Sequence, residues 1–446
     1  MPPCGDVAQL ARAPALQAGG RGFESHRLHL DHVVVVGASL AGFRACETLR
    51  NEGYTGEITL VGGEQHRPYD RPPLSKKLLL GDWDEDRIQL RSTDAFDALN
   101  LRTKFGVVAT SLSVTNRTIS LQGSDHGSGK GDVPEILPFD GLIIATGGTP
   151  RKLPHQPEMA GVHLLRTIDD ALALRHELQS GTRVVIVGAG FIGLEVAATA
   201  TQRGCQVEVL EGLSTPLLRV VGETIGDVIA QIHRRHGVQI RCGVEVRRII
   251  GSHAVGGVEL GDGLVIPADV VVVGIGVEPT TQWLESSGLS LDNGIMCDAT
   301  LNVGVPGIYA AGDVARWPNE LFIADEPTMR IEHWTNAAEQ GAHAASNLLA
   351  TSRGEPPQPY VAVPFFWSNQ FNARIQFLGR ATPQDEMKIV AGDGESGKLV
   401  ALYHRGDRLR GVLGISMPTA VMACRSLLAE QATLSEAIAL VNSLKI

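Results

Sequence analysis

Closely spaced cysteines are missing from this sequence. Its six cysteines are scattered along the chain, and no two of them form a C-x-x-C or a C-x-x-x-x-C pair. This spacing argues against a cysteine-ligated metal cluster and against a redox disulfide between near neighbours. We therefore predict no metal site, and the scattered cysteines are typical of a protein of the reducing cytoplasm.

Long apolar segments and an excess of positive charge are lacking as well. No uncharged apolar run reaches the roughly 18 residues that span a bilayer, so the sequence predicts no membrane contact. The formal net charge of −10 argues against nucleic acid as a partner. With 43% hydrophobic and 20% charged residues, the composition is that of a globular protein. The 446 residues suffice for about three domains.

The segment 1–30 shows no apolar periodicity. It is rich in proline and glycine but lacks the continuous apolar stretch of a secretory signal. It resembles the peptide that results when a transfer-RNA gene is read as protein. We therefore expect residues 1–30 to be a disordered or misannotated extension, with the fold beginning near Asp31.

Two strand–turn–helix patterns are present, and the clearer one begins with the β-branched run 183–187. The residues GAGFIG follow at 188–193, then an Ala-rich helical run and a second strand that ends on Glu211. This is the dinucleotide-binding fingerprint: the first glycine makes the tight turn, the second admits a pyrophosphate, and the third lets helix and strand pack. The helix N-terminus offers free N–H groups to the phosphates.

Glu211 also predicts which nicotinamide cofactor is used. A carboxylate at this position bonds the ribose hydroxyls of NAD and repels the 2′-phosphate of NADP. The residues GLST at 212–215 contain no arginine that could receive that phosphate. We therefore expect NADH in preference to NADPH.

A second copy of the pattern lies near the start of the fold. The strand 32–36 is followed by GASLAG at 37–42, a helix and the strand 57–61, and Glu64 is the candidate ribose carboxylate. Ser39 replaces the middle glycine, which narrows the approach of a pyrophosphate without excluding it. Two dinucleotide folds in one chain predict two dinucleotides, and the usual pair is a tightly held flavin and an exchangeable nicotinamide.

Further along the chain, an apolar strand leads into the sequence AAGDVA at 310–315. Asp313 lies at the predicted start of a helix, where its carboxylate can accept hydrogen bonds from the ribityl hydroxyls of a flavin. A plain helix cap is the alternative role for this aspartate. Because a dinucleotide fingerprint lies upstream, we favour the flavin role.

Several segments resemble the ferredoxin reductases that serve oxygenases, whose relatives include rubredoxin reductases and apoptosis-inducing-factor-like flavoproteins. The most specific is PYDRPPLSK at 68–76; the others are ATG at 145–147, RIEHWTNAAEQG at 330–341 and VPFFWSNQF at 363–371. The resemblance runs from about His32 to the C-terminus. It implies an α/β fold with two Rossmann-like, glutathione-reductase-like FAD/NAD(P)-binding domains, one inserted in the other, and a C-terminal α+β domain.

This implied architecture sets the domain boundaries. We expect a discontinuous FAD-binding domain, an NAD-binding domain inserted into it, and a C-terminal reductase domain. Their expected bounds are 31–151 with 274–332, 152–273, and 333–446.

The resemblance also assigns roles to single residues. It implies that Lys76 and Glu195 pair near the nicotinamide and act by positioning, with no acid–base or nucleophilic residue required. Arg151 is expected at the FAD phosphates, Arg219 at the phosphate or ribose of the nicotinamide cofactor, and Trp334 at the isoalloxazine edge. The predicted FAD contacts are Gly37, Ser39, Leu40, Ala41, Gly42, Glu64, Arg67, Lys76, Val108, Ala145, Thr146, Arg151, Asp313 and Trp334. The predicted NAD contacts are Gly188, Gly190, Phe191, Ile192, Gly193, Glu195, Glu211, Arg219 and Gly276.

The same resemblance decides between chemistries. Disulfide reductases of the wider fold carry redox cysteines at the loop that here reads PYDRPPLSK, and related NADH oxidases and peroxidases carry a single cysteine. This chain has no cysteine between Cys46 and Cys205, so both activities lose their reactive group. We therefore predict an FAD-dependent NADH:ferredoxin reductase that passes electrons one at a time to an iron–sulfur ferredoxin. A rubredoxin reductase or an apoptosis-inducing-factor-like flavoprotein is the alternative, and we expect a monomer or weak dimer.

Overall fold

The computed structural model describes residues 29–123 and 134–444. The predicted extension at residues 1–30 lies outside the described residues, apart from its last two. Within the described part the chain forms three units, each built around a five-stranded sheet. The α/β class predicted from the sequence is confirmed by this arrangement of sheets and helices.

The first unit is built on a parallel sheet. Its central strand is the run HVVVV, in which the four valines are at most 3% exposed, as expected for a strand covered on both faces. Two helices and a smaller antiparallel sheet share its hydrophobic core. In spatial order the strands are Ile308–Ala310, Gly141–Ile144, His32–Val36, Glu57–Gly62 and Arg102–Phe105. The helices are Leu40–Asn51 and Trp334–Arg353, and the smaller sheet comprises Val107–Ser113, Thr118–Gly123 and Glu135–Pro138.

The second unit repeats this plan. Its parallel sheet surrounds the run RVVIV, which leads into the turn and helix of the clearer fingerprint. In spatial order the strands are Gln239–Cys242, Gln206–Glu211, Arg183–Val187, Val270–Val273 and Val162–His163. The helices are Ile168–Glu177, Phe191–Gln202, Leu218–Val221 and Glu223–Arg235, and a smaller antiparallel sheet comprises Val246–Gly251, Val255–Leu260 and Val265–Pro267.

A two-stranded antiparallel ribbon connects these two units. Gly148–Pro150 leads the chain out of the first unit, and Val277–Pro279 brings it back beside the outgoing strand. The second unit is therefore an insertion within the first.

The third unit has an antiparallel sheet followed by three short helices. The last helix begins with a capping box, in which Thr433 Oγ1 accepts from the N–H of Glu436 and the carboxylate of Glu436 accepts from the N–H of Thr433. In spatial order the strands are Phe365–Gln370, Ala373–Gly379, Arg408–Ile415, Lys398–Arg405 and Glu386–Asp393. The helices are Pro418–Ala423, Arg425–Ala429 and Leu434–Ser443.

Short elements shape the loops between these strands. The loop that follows Glu57–Gly62 contains helices Lys77–Leu80 and Thr93–Asp97, and Lys76 is the residue that precedes the first of them. The 3₁₀ turns are Asp86–Ile88, Gln282–Leu284 and Gly312–Val314, and a small parallel pair is formed by Ile295–Met296 and Ala315–Arg316. Among the described residues we find no helix with both the length and the apolar character needed to cross a membrane.

The long helix Trp334–Arg353 packs in the first unit, whereas the sequence analysis assigned it to the last domain. It crosses the helix Leu40–Asn51 so closely that a Cβ atom on Gly341 would lie 2.1 Å from the carbonyl oxygen of Ala41. Its buried face shares the core of the first sheet. The antiparallel sheet of the third unit begins only at Phe365.

We predict that Gly341→Ala lowers the thermal stability of the protein. The added methyl group gains about 1 kcal/mol of helix propensity, but it has to displace a facing backbone, so we expect a net loss of about 1–3 kcal/mol. Gly256→Ala is the matched control, because the nearest atom to a Cβ there is 3.8 Å away. Calorimetry at one scan rate should show a lower Tm for Gly341→Ala alone, and an unchanged Tm would contradict the close helix contact.

Candidate active site

A cavity of about 820 Å³ lies where the three units meet. It is lined by the first glycine-rich turn, the loop 68–76, the start of the helix Phe191–Gln202 and the strand Phe365–Gln370. The volume falls in the range of about 300–1,000 Å³ that is typical of cofactor pockets. The cavity is therefore the candidate site.

The first glycine-rich turn places backbone against this cavity. Gly37 has φ +118°, and a Cβ atom there would lie 2.1 Å from the carbonyl oxygen of Ala145. A Cβ atom on Gly42 would lie 2.0 Å from the carbonyl oxygen of Gly37. Only glycine fits at either position, so the first N–H groups of the helix Leu40–Asn51 can face a ligand.

Glu64 is held at the cavity by two neighbours that the sequence analysis did not select. Arg71 Nη2 donates to Glu64 Oε1 over 2.6 Å, and Tyr69 Oη donates to Glu64 Oε2. Burial raises the pKa of Tyr69, so its hydroxyl stays protonated and remains a donor. Arg71 Nε also donates to Ser39 Oγ over 3.1 Å, which turns the serine of the variant fingerprint toward the arginine.

Asp313 is the second carboxylate of the cavity wall. It lies in the 3₁₀ turn Gly312–Val314, and its Oδ2 accepts from Arg166 Nη2 over 3.1 Å. Arg330 Nη1 donates to the carbonyl oxygen of Asp313 over 2.9 Å. The aspartate is thus fixed by two arginines from different parts of the chain, and it is no plain N-cap, because the N-cap of this turn is Ala311.

Lys76 and Glu195 form an ion pair at the boundary between the first two units. Lys76 Nζ and Glu195 Oε2 are 2.6 Å apart, and their side chains are 17% and 7% exposed. Ser75 Oγ donates to the same carboxylate oxygen over 2.5 Å, and Ser368 Oγ donates to the other over 2.7 Å. The carboxylate of Glu195, on the largely apolar helix Phe191–Gln202, therefore has hydrogen-bond donors at both oxygens, as a buried carboxylate requires.

Aromatic side chains form the wall that faces the third unit. Trp334 Nε1 donates to Asp70 Oδ1 over 2.6 Å, and burial raises the pKa of Asp70. The rings of Trp334 and Trp367 are 6.0 Å apart. Burial, with Arg380 nearby, lowers the pKa of His333 to about 3, so this cavity residue is neutral. The wall is therefore largely apolar and suits a flat ring system.

The second glycine-rich turn is built like the first. Cβ atoms on Gly188 and Gly193 would lie 2.5 Å and 2.2 Å from carbonyl oxygens, whereas the nearest atom to one on Gly190 is 3.9 Å away. Gly190 thus leaves open the approach that a pyrophosphate needs. Glu211 Oε2 accepts from the N–H of Ala189 over 2.7 Å, which holds this carboxylate beside the turn.

Three predicted FAD contacts do not line the cavity: Gly42, Arg67 and Arg151. Gly42 packs against the carbonyl oxygen of Gly37 behind the turn. Arg67 pairs with Asp97 at 3.3 Å and lies over the ring of Phe96, because the loop turns its side chain outward. Arg151 is exposed on the connecting ribbon, where its Nε donates to the carbonyl oxygen of Val277 over 3.2 Å. The predicted FAD contacts that line the cavity are Gly37, Ser39, Leu40, Ala41, Glu64, Lys76, Val108, Ala145, Thr146, Asp313 and Trp334.

The predicted NAD contacts divide between two places. Phe191, Ile192 and Glu195 line the cavity. The glycines and Glu211 surround the second turn, Arg219 is an exposed residue of the short helix Leu218–Val221, and Gly276 has φ +103° next to the ribbon. This separation matches a long dinucleotide of which one end reaches the cavity.

Some cavity residues escaped the sequence analysis for identifiable reasons. Arg71 and Ser75 belong to the motif PYDRPPLSK, so the motif itself could have indicated them. His333 belongs to the motif RIEHWTNAAEQG, which could likewise have indicated it. Arg166 carries no motif signal of its own, because its role depends on a contact with Asp313, which is remote in sequence.

The arrangement fits FAD as a resident cofactor. Free helix N–H groups suit a diphosphate, Glu64 suits a ribose, Asp313 suits a ribityl chain, and the aromatic wall suits a flavin ring. A second dinucleotide fold reaches the same cavity. The fold and the site together define a flavoprotein oxidoreductase that takes electrons from a nicotinamide dinucleotide.

Comparison with known proteins gives the family. The family described as pyridine nucleotide-disulphide oxidoreductase matches residues 31–341, and the family described as reductase C-terminal matches residues 365–444. The chain belongs to the pyridine nucleotide-disulphide oxidoreductase family. It is an FAD-dependent oxidoreductase that uses NAD(H).

Similar proteins extend over most of the chain. Rhodocoxin reductase of Rhodococcus erythropolis is 35% identical over 405 residues, which cover 90% of each chain. The ferredoxin–NAD(+) reductase component of the p-cumate 2,3-dioxygenase system of Pseudomonas putida is 35% identical over 386 residues, covering 86% of this chain and 89% of that one. A crystal structure of the covalent putidaredoxin reductase–putidaredoxin complex superposes with a TM-score of 0.83 at 31% identity, covering 93% of this chain and 99% of that chain.

The family name refers to disulphide chemistry, but the described residues that line this cavity include no thiol that could perform it. None of the cysteines in the described ranges lines it. Cys46 lies on the first fingerprint helix, fully buried, and burial raises the pKa of its thiol to about 12. A thiol of this kind is a core residue and not a nucleophile.

We predict a large coupling energy between Lys76 and Glu195. Removing either partner leaves the other charge buried, so Lys76→Met and Glu195→Gln should each destabilise the protein, and together by less than their sum. We expect a coupling of about 1–3 kcal/mol from urea unfolding of the FAD-loaded protein.

The control for this cycle is the pair of Lys77 and Asp82. Their charged atoms are also 2.6 Å apart, but their side chains are 52% and 45% exposed. Solvent screening should reduce their coupling to below about 0.5 kcal/mol. Equal coupling energies in the two cycles would refute the importance of burial for the Lys76–Glu195 pair.

Proposed function

We propose that this protein is an NADH:ferredoxin reductase of an oxygenase system. It takes electrons from NADH and delivers them singly to a small iron–sulfur ferredoxin. When bound, FAD supplies the chemistry that accepts a hydride and releases single electrons. The observation that carries the proposal is a cavity that two dinucleotide folds share and that no cysteine of the described residues lines. Without a thiol relay, the electrons have to leave to an external acceptor.

The similar proteins support the kind of acceptor. One is named as a ferredoxin–NAD(+) reductase component of a dioxygenase system, and the superposed structure is a complex of a reductase with putidaredoxin. The similarity covers most of both chains in each case. We therefore assign an iron–sulfur ferredoxin to this protein as its partner, with rubredoxin as the alternative acceptor.

The first unit holds FAD in this proposal. The N–H groups of residues 39–42 bind the diphosphate, Glu64 binds the ribose, and Asp313 binds the ribityl chain. Arg71 and Arg166 hold these two carboxylates in place through the contacts described above. Neither arginine has to bind FAD in order to matter for its affinity.

The second unit binds NADH and directs its nicotinamide end into the cavity past Phe191 and Ile192. Hydride transfer depends on alignment and on the exclusion of water, and it needs no general acid or base. Lys76 and Glu195 serve as positioning groups there, because their ion pair fixes both side chains at the cavity wall.

Electrons leave at the aromatic wall in this proposal. Trp334 and Trp367 are partly exposed, and both line the cavity, so this wall is the part of the site that a docked protein can reach. We also propose that the protein is a monomer or weak dimer. We place it in the cytoplasm, since dispersed free thiols are typical of that compartment.

We predict that NADH bleaches the FAD absorbance of the purified protein in anaerobic stopped-flow mixing, and that a ferredoxin added next is reduced. A rubredoxin should be reduced more slowly, and NADH without the protein should reduce neither. If a rubredoxin is the faster acceptor, the alternative assignment replaces ours. Bleaching without reduction of any iron–sulfur protein would favour an apoptosis-inducing-factor-like flavoprotein.

We predict a preference for NADH over NADPH of at least about tenfold in kcat/KM, because Glu211 repels a 2′-phosphate. Glu211→Gln keeps an acceptor for the N–H of Ala189 but removes the charge, so the preference should fall about tenfold. Glu208→Gln is the control on the same strand, since Glu208 pairs with Arg241. Comparable specificity constants for the two cofactors in the unaltered protein would refute the assignment.

A further inference from the structure

A chain of buried side chains leads to the carboxylate of Glu195 from the side of the third unit. Ser368 Oγ lies 2.7 Å from Glu195 Oε1, Gln370 Nε2 lies 3.1 Å from Ser368 Oγ, and His233 Nε2 lies 2.9 Å from Gln370 Oε1. The chain starts on the helix Glu223–Arg235 of the inserted unit and crosses a strand of the third unit. It ends on the fingerprint helix of the inserted unit.

Every hydrogen bond in this chain has a fixed direction. An ionised carboxylate can only accept, so the hydroxyl of Ser368 donates to Glu195. The serine oxygen then accepts from the amide N–H of Gln370, and the amide oxygen accepts from His233 Nε2–H. Burial lowers the pKa of His233 to about 4, so the imidazole is neutral and carries its one proton on Nε2.

Burial leaves these groups without alternative partners. The residues His233 and Gln370 are 0% exposed, Ser368 is 1% exposed and Glu195 is 5% exposed. Water cannot replace a broken link at such positions, and an unpaired buried polar group is costly. His233 therefore orients the amide of Gln370, this amide orients the hydroxyl of Ser368, and the hydroxyl orients the carboxylate of Glu195.

We propose that Ser368 is a positioning residue for the nicotinamide site and that Gln370 and His233 orient its hydroxyl. This inference rests on the proposed function, in which Lys76 and Glu195 act at the cavity. Ser368 itself does not line the cavity. It acts by holding Glu195 Oε1, which leaves Oε2 for Lys76 and thereby fixes where the ammonium group lies.

Loss of the serine hydroxyl removes the one donor to Glu195 Oε1 in the described structure. Glu195 Oε1 is then left unpaired in a buried position, so the carboxylate can rotate and the ammonium group of Lys76 can shift with it. Because hydride transfer is sensitive to small misplacements, the rate should suffer more than the affinity for NADH. The proposed function places the adenosine end of NADH beside Glu211, which does not line the cavity.

The test measures FAD bleaching by NADH in the holoprotein. We expect Ser368→Ala to lower the limiting rate roughly tenfold and to change the dissociation constant of NADH less than about threefold. Ser368→Thr, which keeps the hydroxyl, should restore most of the rate. Gln370→Met should act in the same direction as Ser368→Ala. Ser352→Ala alters a half-buried serine on the helix Trp334–Arg353 and should behave like the unaltered protein.

A second readout does not depend on activity. The coupling energy between Lys76 and Glu195, obtained from urea unfolding as above, should fall by at least half in the Ser368→Ala background. If Ser368 merely filled space, Ser368→Ala would lower the stability of the protein without changing this coupling energy. Unchanged coupling together with an unchanged limiting rate would overturn the inference.

The two readouts separate this inference from the proposed function. If NADH does not bleach the FAD of the unaltered protein, the proposed function fails. The coupling energy still shows whether Ser368 holds the Lys76–Glu195 pair in position. If FAD is bleached but no ferredoxin is reduced, only the assigned acceptor fails. If ferredoxin is reduced equally fast by Ser368→Ala and its coupling energy is intact, the inference alone fails.

Discussion

The free energy of burying one carboxylate constrains how the three units meet. Glu195 lies on an apolar helix of the inserted unit, and a charge there is tolerated only when it is paired and hydrogen-bonded. Its partners come from the other two units: Lys76 and Ser75 from the first, and Ser368 from the third. Moving any unit away would break a bond that this carboxylate requires. The group that we place at the reactive end of the cavity thus also links the three units that surround it.

The fold and the glycine-rich turns could be predicted because their signals are local. The strands 32–36 and 183–187 are unbroken β-branched runs, and each turn that follows has glycines where only glycine fits the backbone. The acidic residue Glu211 lies at a spacing that the strand and helix lengths fix. Such features need no knowledge of remote contacts, so the α/β class and the two dinucleotide folds followed from the sequence.

The remaining site residues depend on contacts between distant parts of the chain. Arg67 and Arg71 belong to the same loop, but only Arg71 faces the cavity, because the carboxylate of Glu64 and the hydroxyl of Ser39 are there to receive it. Spacing alone does not distinguish these two arginines. In the same way, the motif that contains Trp334 suggests a new domain, whereas packing at Gly341 keeps its helix in the first core.

The connecting ribbon has a consequence for how such a protein can change over evolutionary time. Gly148–Pro150 and Val277–Pro279 lie side by side, so the chain enters and leaves the inserted unit at the same place. An inserted unit whose two ends adjoin can be exchanged for another by recombination without changing the path of the chain in the first unit. The new unit would have to present a carboxylate where Glu195 lies. In the function that we propose, the residues that select the electron donor and those that meet the electron acceptor therefore lie on separable parts of one polypeptide.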